Sequence, residues 1–431
     1  MDGQQSNVAN EEDQQYVQTQ QLLLAAAHHD LEALRVLLKT IPATVQDEET
    51  GYTPLHAAIA ACVPDEDSSS NGTNGTAAAA NAQHEETLAL AEKTVRLLFQ
   101  NGAIWNDLDV ENETPGCLAL RLGLLPLYEV MVDAGVRAEL LMNRLDDYEP
   151  LGGDDDDDDE DEDAEIIDVS QNGEAANGST GTIAEEVPMI QINGEANGDE
   201  STESGNYLHS DLSFQDDRLV DSSNNGVMME WESRIMEESV DRLALQQGQS
   251  VLNIGHGMGI IDTMFQAKSP AAHHIIEAHP QVLEQMQQTG WRSSDEATST
   301  RTRFPGVTVH AGKWQDILPQ LVAAGTTFDC IYFDTFAEDY KAFRHFFEEL
   351  VIGLLKPGGR WSFFNGMGAD RQVCYDVYTK VVEMDLFEAG FDIDWTEIET
   401  KEAEREGEWQ GLRRRYWALD KYRLPICTFV A

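Results

Sequence analysis

Residues 251–279, VLNIGHGMGIIDTMFQAKSPAAHHIIEAH, decide the fold. Val251, Leu252 and Ile254 form an apolar run of strand length, and Gly255, Gly257 and Gly259 follow at once. Glycines at that point permit positive φ and let the backbone come close to a ligand. The following segment, from Ile260, has helical character and would aim unpaired backbone N–H groups at that ligand. His273 to Ile276 form a second buried strand that ends in Glu277. A carboxylate about twenty residues after such a turn is placed to grip the two hydroxyls of a ribose. The glycine spacing is G-x-G-x-G, not the G-x-G-x-x-G that cradles a diphosphate. An adenosine-type cofactor without phosphate, such as S-adenosyl-L-methionine, fits this variant better.

Downstream, strands alternate with helices. FPGVTVHAGKWQDILPQLV (304–322) gives a third strand near Val307–His310 and a helix from Asp316. FDCIYFDTF (328–336) gives a fourth, with Asp334 at its carboxyl end. KAFRHFFEELVIGLL reads as a helix, LKPGG as a turn and RWSFFN as a fifth strand. Another helix covers Asp370 to Glu388, and FDIDWTEIE, RYWALD and PICTFV read as closing strands. Such alternation implies an α/β domain: a mostly parallel, doubly wound sheet with helices on both faces. Ligands bind such sheets at the carboxyl ends of the strands, where Gly255, Glu277 and Asp334 should meet.

Before this unit the chain changes character three times. Residues 1–19 are polar and expected to fray, and helical spacing begins at Gln21. GYTPLHAAIAA (51–61) then carries a T-P-L-H-x-A signature, and ENETPGCLALRLGLLPLYEVMVDAGV (111–136) repeats it in degenerate form. Residues 20–148 therefore resemble about three ankyrin repeats, an all-α domain with a flexible insertion at 64–84. In that family the threonine and histidine tie down a turn, so His56 is read as structural. Residues 149–205 hold an unbroken acidic run, Asp154 to Asp163, and little apolar matter, which reads as a disordered linker. Order returns at 206–431. YLHSDLSFQDDRLVD is a structured arm, and VMMEWESRIMEESVDRLAL (227–245) reads as one helix entering the first strand.

The formal net charge of −51 repels nucleic acid and anionic membranes but attracts basic proteins. The five cysteines form no CxxC pair and no secretory signal precedes them, so reduced thiols in an intracellular protein are expected. No apolar run has the length of a membrane span. Neither the five cysteines nor the eleven histidines show metal-ligand or catalytic-triad spacing, and no metal is expected.

VMMEWESRIM, VLNIGHGMGIID, IIEAHP, GKWQD, FDCIYFDTF and LLKPGGRWSFFN together resemble the class I S-adenosylmethionine-dependent methyltransferases. The likeness is to guanidinoacetate methyltransferase and to the fungal type IV protein arginine methyltransferases, which methylate the internal (delta) nitrogen of arginine. It covers roughly half the chain, and ankyrin-like repeats ahead of the domain belong to the fungal architecture. The resemblance implies that Gly255, His256, Gly257, Met258, Gly259 and Ile260 pass under the methionine part of the cofactor. It implies ribose binding by Glu277, with Ala278, His279, Trp314 and Gln315 about the adenine and Tyr207, Met228 and Met236 closing the pocket. Glu232 and Asp334 match two carboxylates that hold an acceptor guanidino group, and Gly366 and Met367 match acceptor contacts. Asn253 departs from the usual acid of the turn, and His256 from its usual apolar residue.

Two acids suit a guanidinium, which is flat, always charged and offers five N–H donors in fixed directions. Asp334 is assigned to orientation and proton acceptance and Glu232 to binding; the reverse stays open. The S-E-x-M-G double-glutamate loop of the conventional arginine methyltransferases is missing, for Glu348-Glu349 lies within a helical pattern. The expected function is thus delta-nitrogen methylation of arginine in a basic, plausibly ribosomal, protein by a monomeric enzyme of cytoplasm and nucleus. A small-molecule guanidino methyltransferase and a non-catalytic ankyrin scaffold are the alternatives.

Overall fold

The computed structural model describes residues 2–63, 77–146, 204–215, 217–292, 304, 306–401 and 407–430. The acidic run and nearly all of the 149–205 segment lie outside the described residues, as do 64–76 of the 64–84 insertion.

Six helices come first: α1 (Asp2–Ala27), α2 (Leu31–Leu37), α3 (Pro54–Ala60), α4 (Ala77–Gln100), α5 (Pro115–Arg121) and α6 (Leu125–Asp146). The starts of α3 and α5 follow from chemistry written in the sequence. Thr53 and Thr114 cap them by accepting the backbone N–H groups of His56 and Cys117, and proline stands at each first position. The His56 ring accepts the Thr53 N–H at Nδ1 (3.2 Å) and meets the Glu113 carbonyl at Nε2 (3.1 Å), so it ties one helical pair to the next. Two expectations change here. Helix α1 begins at Asp2 and runs through the polar start that was expected to fray, because Gln, Glu and Ala are good helix formers. For the same reason Ala77–Ala80, placed by sequence in the flexible insertion, opens α4.

The second half starts with α7 (Ser204–Tyr207) and three short strands, β1 (Leu212–Phe214), β2 (Arg218–Asp221) and β3 (Gly226–Met229), paired as an antiparallel sheet. A 3-10 turn at Glu230–Glu232 leads into α8 (Ser233–Leu243). The single helix expected over 227–245 is therefore three elements. Gly226, Met228 and Met229 pair with β2, and only from Ser233 does the helical apolar face take over.

Then the alternation begins: β4 (Ser250–Ile254), α9 (Ile260–Ala267), β5 (Ala272–Glu277), α10 (Pro280–Thr289), β6 (Val307–Ala311), α11 (Trp314–Ala323) and β7 (Phe328–Phe333). Next come α12 (Tyr340–His345), a π-helical turn at Phe346–Leu350, α13 (Val351–Leu354), β8 (Leu355–Phe363), α14 (Gln372–Glu388), β9 (Phe391–Glu399) and β10 (Lys421–Phe429). The seven strands lie in the order β6-β5-β4-β7-β8-β10-β9. All neighbours among β4 to β8 are parallel, and β10 runs antiparallel to both β8 and β9. The expected mostly parallel, doubly wound sheet is present, and its order reverses between β4 and β7, which opens a crevice at their carboxyl ends.

LKPGG is no free turn, since β8 runs through it with a register shift against β7. RYWALD is no strand: residues 415–420 are an irregular approach to the single strand that includes PICTF. The N-terminal helices are seated on α14. Val377 packs beside Gly135, Tyr378 Oη donates to Glu139 (2.6 Å), Tyr128 Oη donates to Asp376, and Arg144 pairs with Glu388 (3.0 Å). One apolar cluster runs from these helices through α14 to the sheet, and another fills the opposite face beneath α8, α9 and α10.

Candidate active site

The glycine turn after β4 is built for close approach. Gly255, Gly257 and Gly259 have φ of 94°, 54° and 75°, all in the left-handed region. A Cβ at Gly255 would stand 1.8 Å from the Asp334 carbonyl oxygen, which no larger residue could tolerate. Asn253, which departs from the common pattern, donates its side-chain amide to the Gly255 carbonyl (2.8 Å) and so holds the turn itself. His256 turns away from the turn's open side. Its Nδ1 lies 2.6 Å from Asp262, whose other oxygen is 2.8 Å from His273 Nε2. Burial alone would raise the Asp262 carboxyl, but the bonds from His256 and His273 bring it down to about 2.

Glu277, at the end of β5, is gripped by three backbone groups. One oxygen accepts the N–H of His256 (2.9 Å) and Gly257 (3.4 Å), and the other accepts that of His279 (2.7 Å). Oε1, with one donor, keeps a lone pair for a hydroxyl. Farther along the same edge, Trp314 Nε1 and Gln315 Nε2 donate to Glu338 at 3.1 and 3.2 Å. Burial pushes the Glu338 carboxyl upward against those two bonds. The Tyr207 ring lies 4.8 Å from Phe336 and 4.9 Å from His279, and forms a lip over this end.

The other end is acidic and buried. Glu232, in the 3-10 turn, is 4% exposed and accepts the Tyr416 hydroxyl. Burial, then the neighbouring Asp334 charge, push its carboxyl well above the usual range. Asp334, just past β7, is raised by burial to about 7, and its Oδ2 has no hydrogen-bond partner among the described residues. An unpartnered buried carboxylate oxygen is costly, so in a cleft it is a candidate acceptor for an incoming donor.

One cleft joins these parts. Of the residues expected at the site, Tyr207, Met228, Glu232, Gly255, Gly257, Glu277, Ala278, Trp314, Gln315 and Asp334 line it. Eight others do not. The His256 ring faces Asp262, and Met258, Gly259 and Ile260 lead from the turn into α9. Met236 is fully buried on the inner face of α8, and the His279 ring caps α10 and meets the Tyr207 carbonyl (3.1 Å). Gly366 and Met367 lie past β8, where Met367 joins the apolar core. Sequence reasoning missed Lys313, Phe336, Glu338, Phe364, Arg414 and Tyr416, which also line the cleft. Lys313 and Phe336 lie within motifs already singled out and Glu338 just beyond one; Tyr416 falls in RYWALD, read only as a strand, and Arg414 just before it.

A family model described as guanidinoacetate N-methyltransferase matches residues 196–419. Protein arginine N-methyltransferase 2 of Aspergillus fumigatus is 53% identical over 420 residues, 95% of this chain and 96% of that protein. The chain belongs to the protein arginine N-methyltransferase 2 family. Its Emericella nidulans member is 53% identical over 427 residues (96% and 97% of the two chains), and its Neurospora crassa member 46% over 426 (95% of each). A member of this family is an S-adenosylmethionine-dependent methyltransferase, and the residues present fit that cofactor. The positive-φ glycine turn lining the cleft, the carboxylate of Glu277 and the missing diphosphate spacing all suit a nucleoside without phosphate. When bound, S-adenosylmethionine supplies an electrophilic methyl group on a sulfonium.

Proposed function

We propose that this enzyme methylates the internal (delta) nitrogen of arginine in a basic protein, and that Glu232 and Asp334 clamp the guanidinium. The observation that carries the reading is the orphaned Asp334 Oδ2 beside buried Glu232 in the cleft that holds Glu277. The relatives are named for arginine N-methylation, and no other common side chain presents flat, fixed N–H donors to two acids at once.

In this reading Glu277 receives the ribose hydroxyls, and Trp314, Gln315 and Tyr207 enclose the base. Gly255 and Gly257 underlie the rest of the cofactor. Asp334 and Glu232 bond to the guanidinium edge and set its plane. Orientation of this kind can account for several kcal/mol of the barrier. Asp334, with a carboxyl near 7, is suited to take the proton that the methylated nitrogen must lose. Its assignment as acceptor and Glu232 as charge partner follows from that value, since an acid poised near ambient pH exchanges protons most readily.

The domain division belongs to the same proposal: ankyrin-like repeats at 20–148, a solvated acidic linker at 149–205 and the catalytic domain from 206. The repeat signature rests on the Thr53 and Thr114 caps and the His56 ties. A basic partner, plausibly ribosomal, suits the formal charge of −51, and we place the protein as a monomer in cytoplasm and nucleus. The family model's description favours a second reading, methylation of a small guanidino compound. Radiolabelled methyl donor distinguishes them. Label should enter protein and, after acid hydrolysis, elute as delta-N-methylarginine. Label found only in free guanidinoacetate, or on the terminal guanidino nitrogens, overturns the proposal.

A further inference from the structure

The acceptor end of the cleft is closed by a segment that lies far along the chain from both acids. Residues 407–417 cross over the three-stranded sheet before β10. Arg413 donates its backbone N–H to the Asn224 carbonyl (2.8 Å), and the Arg218 guanidinium donates to the Gln410 carbonyl (3.2 Å). A Cβ at Gly226 would meet the Tyr416 ring at 3.1 Å, so β3 and this segment are in close contact. Trp409 packs edge-on against Tyr416 at 4.9 Å, and Trp231 lies 6.2 Å from it. The Tyr416 hydroxyl has thus been carried into the cleft and donates to Glu232 Oε1.

We infer that Tyr416 is a positioning residue for methyl transfer, holding the Glu232 carboxylate in the rotamer and charge state that receives the acceptor guanidinium. This rests on the clamp proposed above. A lone glutamate on a 3-10 turn can rotate about three side-chain bonds, and burial beside a second acid favours its neutral form. A neutral carboxyl presents a donor where the guanidinium also presents donors. The tyrosine hydroxyl opposes both tendencies, because it bonds Oε1 and favours the ionised state while the carboxylate's remaining lone pairs can accept from substrate. The titratable groups that face Glu232 are Asp334 and Tyr332 from β7, Tyr422 from β10 and Tyr416 itself, with Arg414 on the same cleft. Among these, Tyr416 is the side chain shown bonded to it, alongside a backbone hydrogen bond at Met229.

A double-mutant cycle on the full-length enzyme tests this, with kcat/KM for an arginine-containing basic protein measured from pH 6 to 9. Tyr416→Phe should lower kcat/KM by about tenfold at pH 7. The loss should shrink as pH rises, because the acid limb moves upward once the hydroxyl no longer favours the ionised glutamate. Cofactor binding, measured by calorimetry with S-adenosylhomocysteine, should change little. Glu232→Gln should lose more, and adding Tyr416→Phe to it should cost almost nothing further. Additive losses, or a Tyr416→Phe loss independent of pH, overturn the part given to Tyr416, since simple packing damage behaves that way. An unchanged Glu232→Gln enzyme is a different result and overturns the clamp itself.

Discussion

The two ends of the cleft treat their carboxylates in opposite ways. Glu277 is held by three backbone donors before any ligand arrives, so its position is part of how β4, β5 and the glycine turn are joined. Asp334 stands across the turn with one oxygen unsatisfied and its proton affinity raised to about 7. The first acid is preorganised for neutral hydroxyls, whose binding changes no charge. The second is held in an unfavourable state that a cation relieves. On the proposed function such a cleft would bind its cofactor by shape and its acceptor by charge, and the two functions should come apart under mutation.

Removing Asp334 should give the largest effect. Asp334→Ala is expected to cut methyl transfer by about a thousandfold. Affinity for S-adenosylhomocysteine, measured by calorimetry, should stay within a few-fold of the parent. A matched loss of cofactor binding would erase the contrast between the two ends. Glu277→Ala should do the converse. It leaves the His256, Gly257 and His279 N–H groups without their acceptor, and the cofactor dissociation constant should rise by about a hundredfold. An unaltered constant by the same titration takes the ribose role away from Glu277.

Smaller effects come from pH. A cation binds best to ionised acids, so the acceptor KM should fall as pH rises through about 7, the Asp334 value. Steady-state kinetics at fixed, saturating cofactor will show whether KM is flat instead. Smallest is a stability effect of defined sign. Because burial raises the folded-state carboxyl of Asp334 above its unfolded value, its contribution is most favourable at low pH and is lost as pH rises through about 7. Asp334→Asn should therefore raise Tm at pH 8 by more than at pH 6 in a thermal melt, and equal shifts would mean that the carboxyl is not perturbed.

The cofactor end was legible in the sequence and the acceptor end only half so, for a physical reason. Gly255 and Glu277 belong to one strand-turn-helix-strand unit whose spacing is dictated locally, as is Trp314 after β6. Glu232 was identified, but the helix expected around it is a strand and a 3-10 turn, because pairing with β2 outweighs helical spacing over Val227–Met229. Tyr416 is 184 residues from Glu232, in a stretch read as a strand, and no local pattern signals a contact of that range. His256 illustrates the opposite failure. It sits in the most readable motif of the chain, yet its ring serves the buried Asp262 and not the cleft.

The claim that Asp334 is kept partly protonated until a cation arrives is tested most directly by counting protons. An arginine-containing basic peptide is titrated calorimetrically into the enzyme–S-adenosylhomocysteine complex at pH 7, in buffers of different ionisation enthalpy. Release of about half a proton or more per peptide bound is expected, falling toward zero at pH 9 and reduced in Asp334→Asn. Binding that releases no proton at pH 7 would contradict the account.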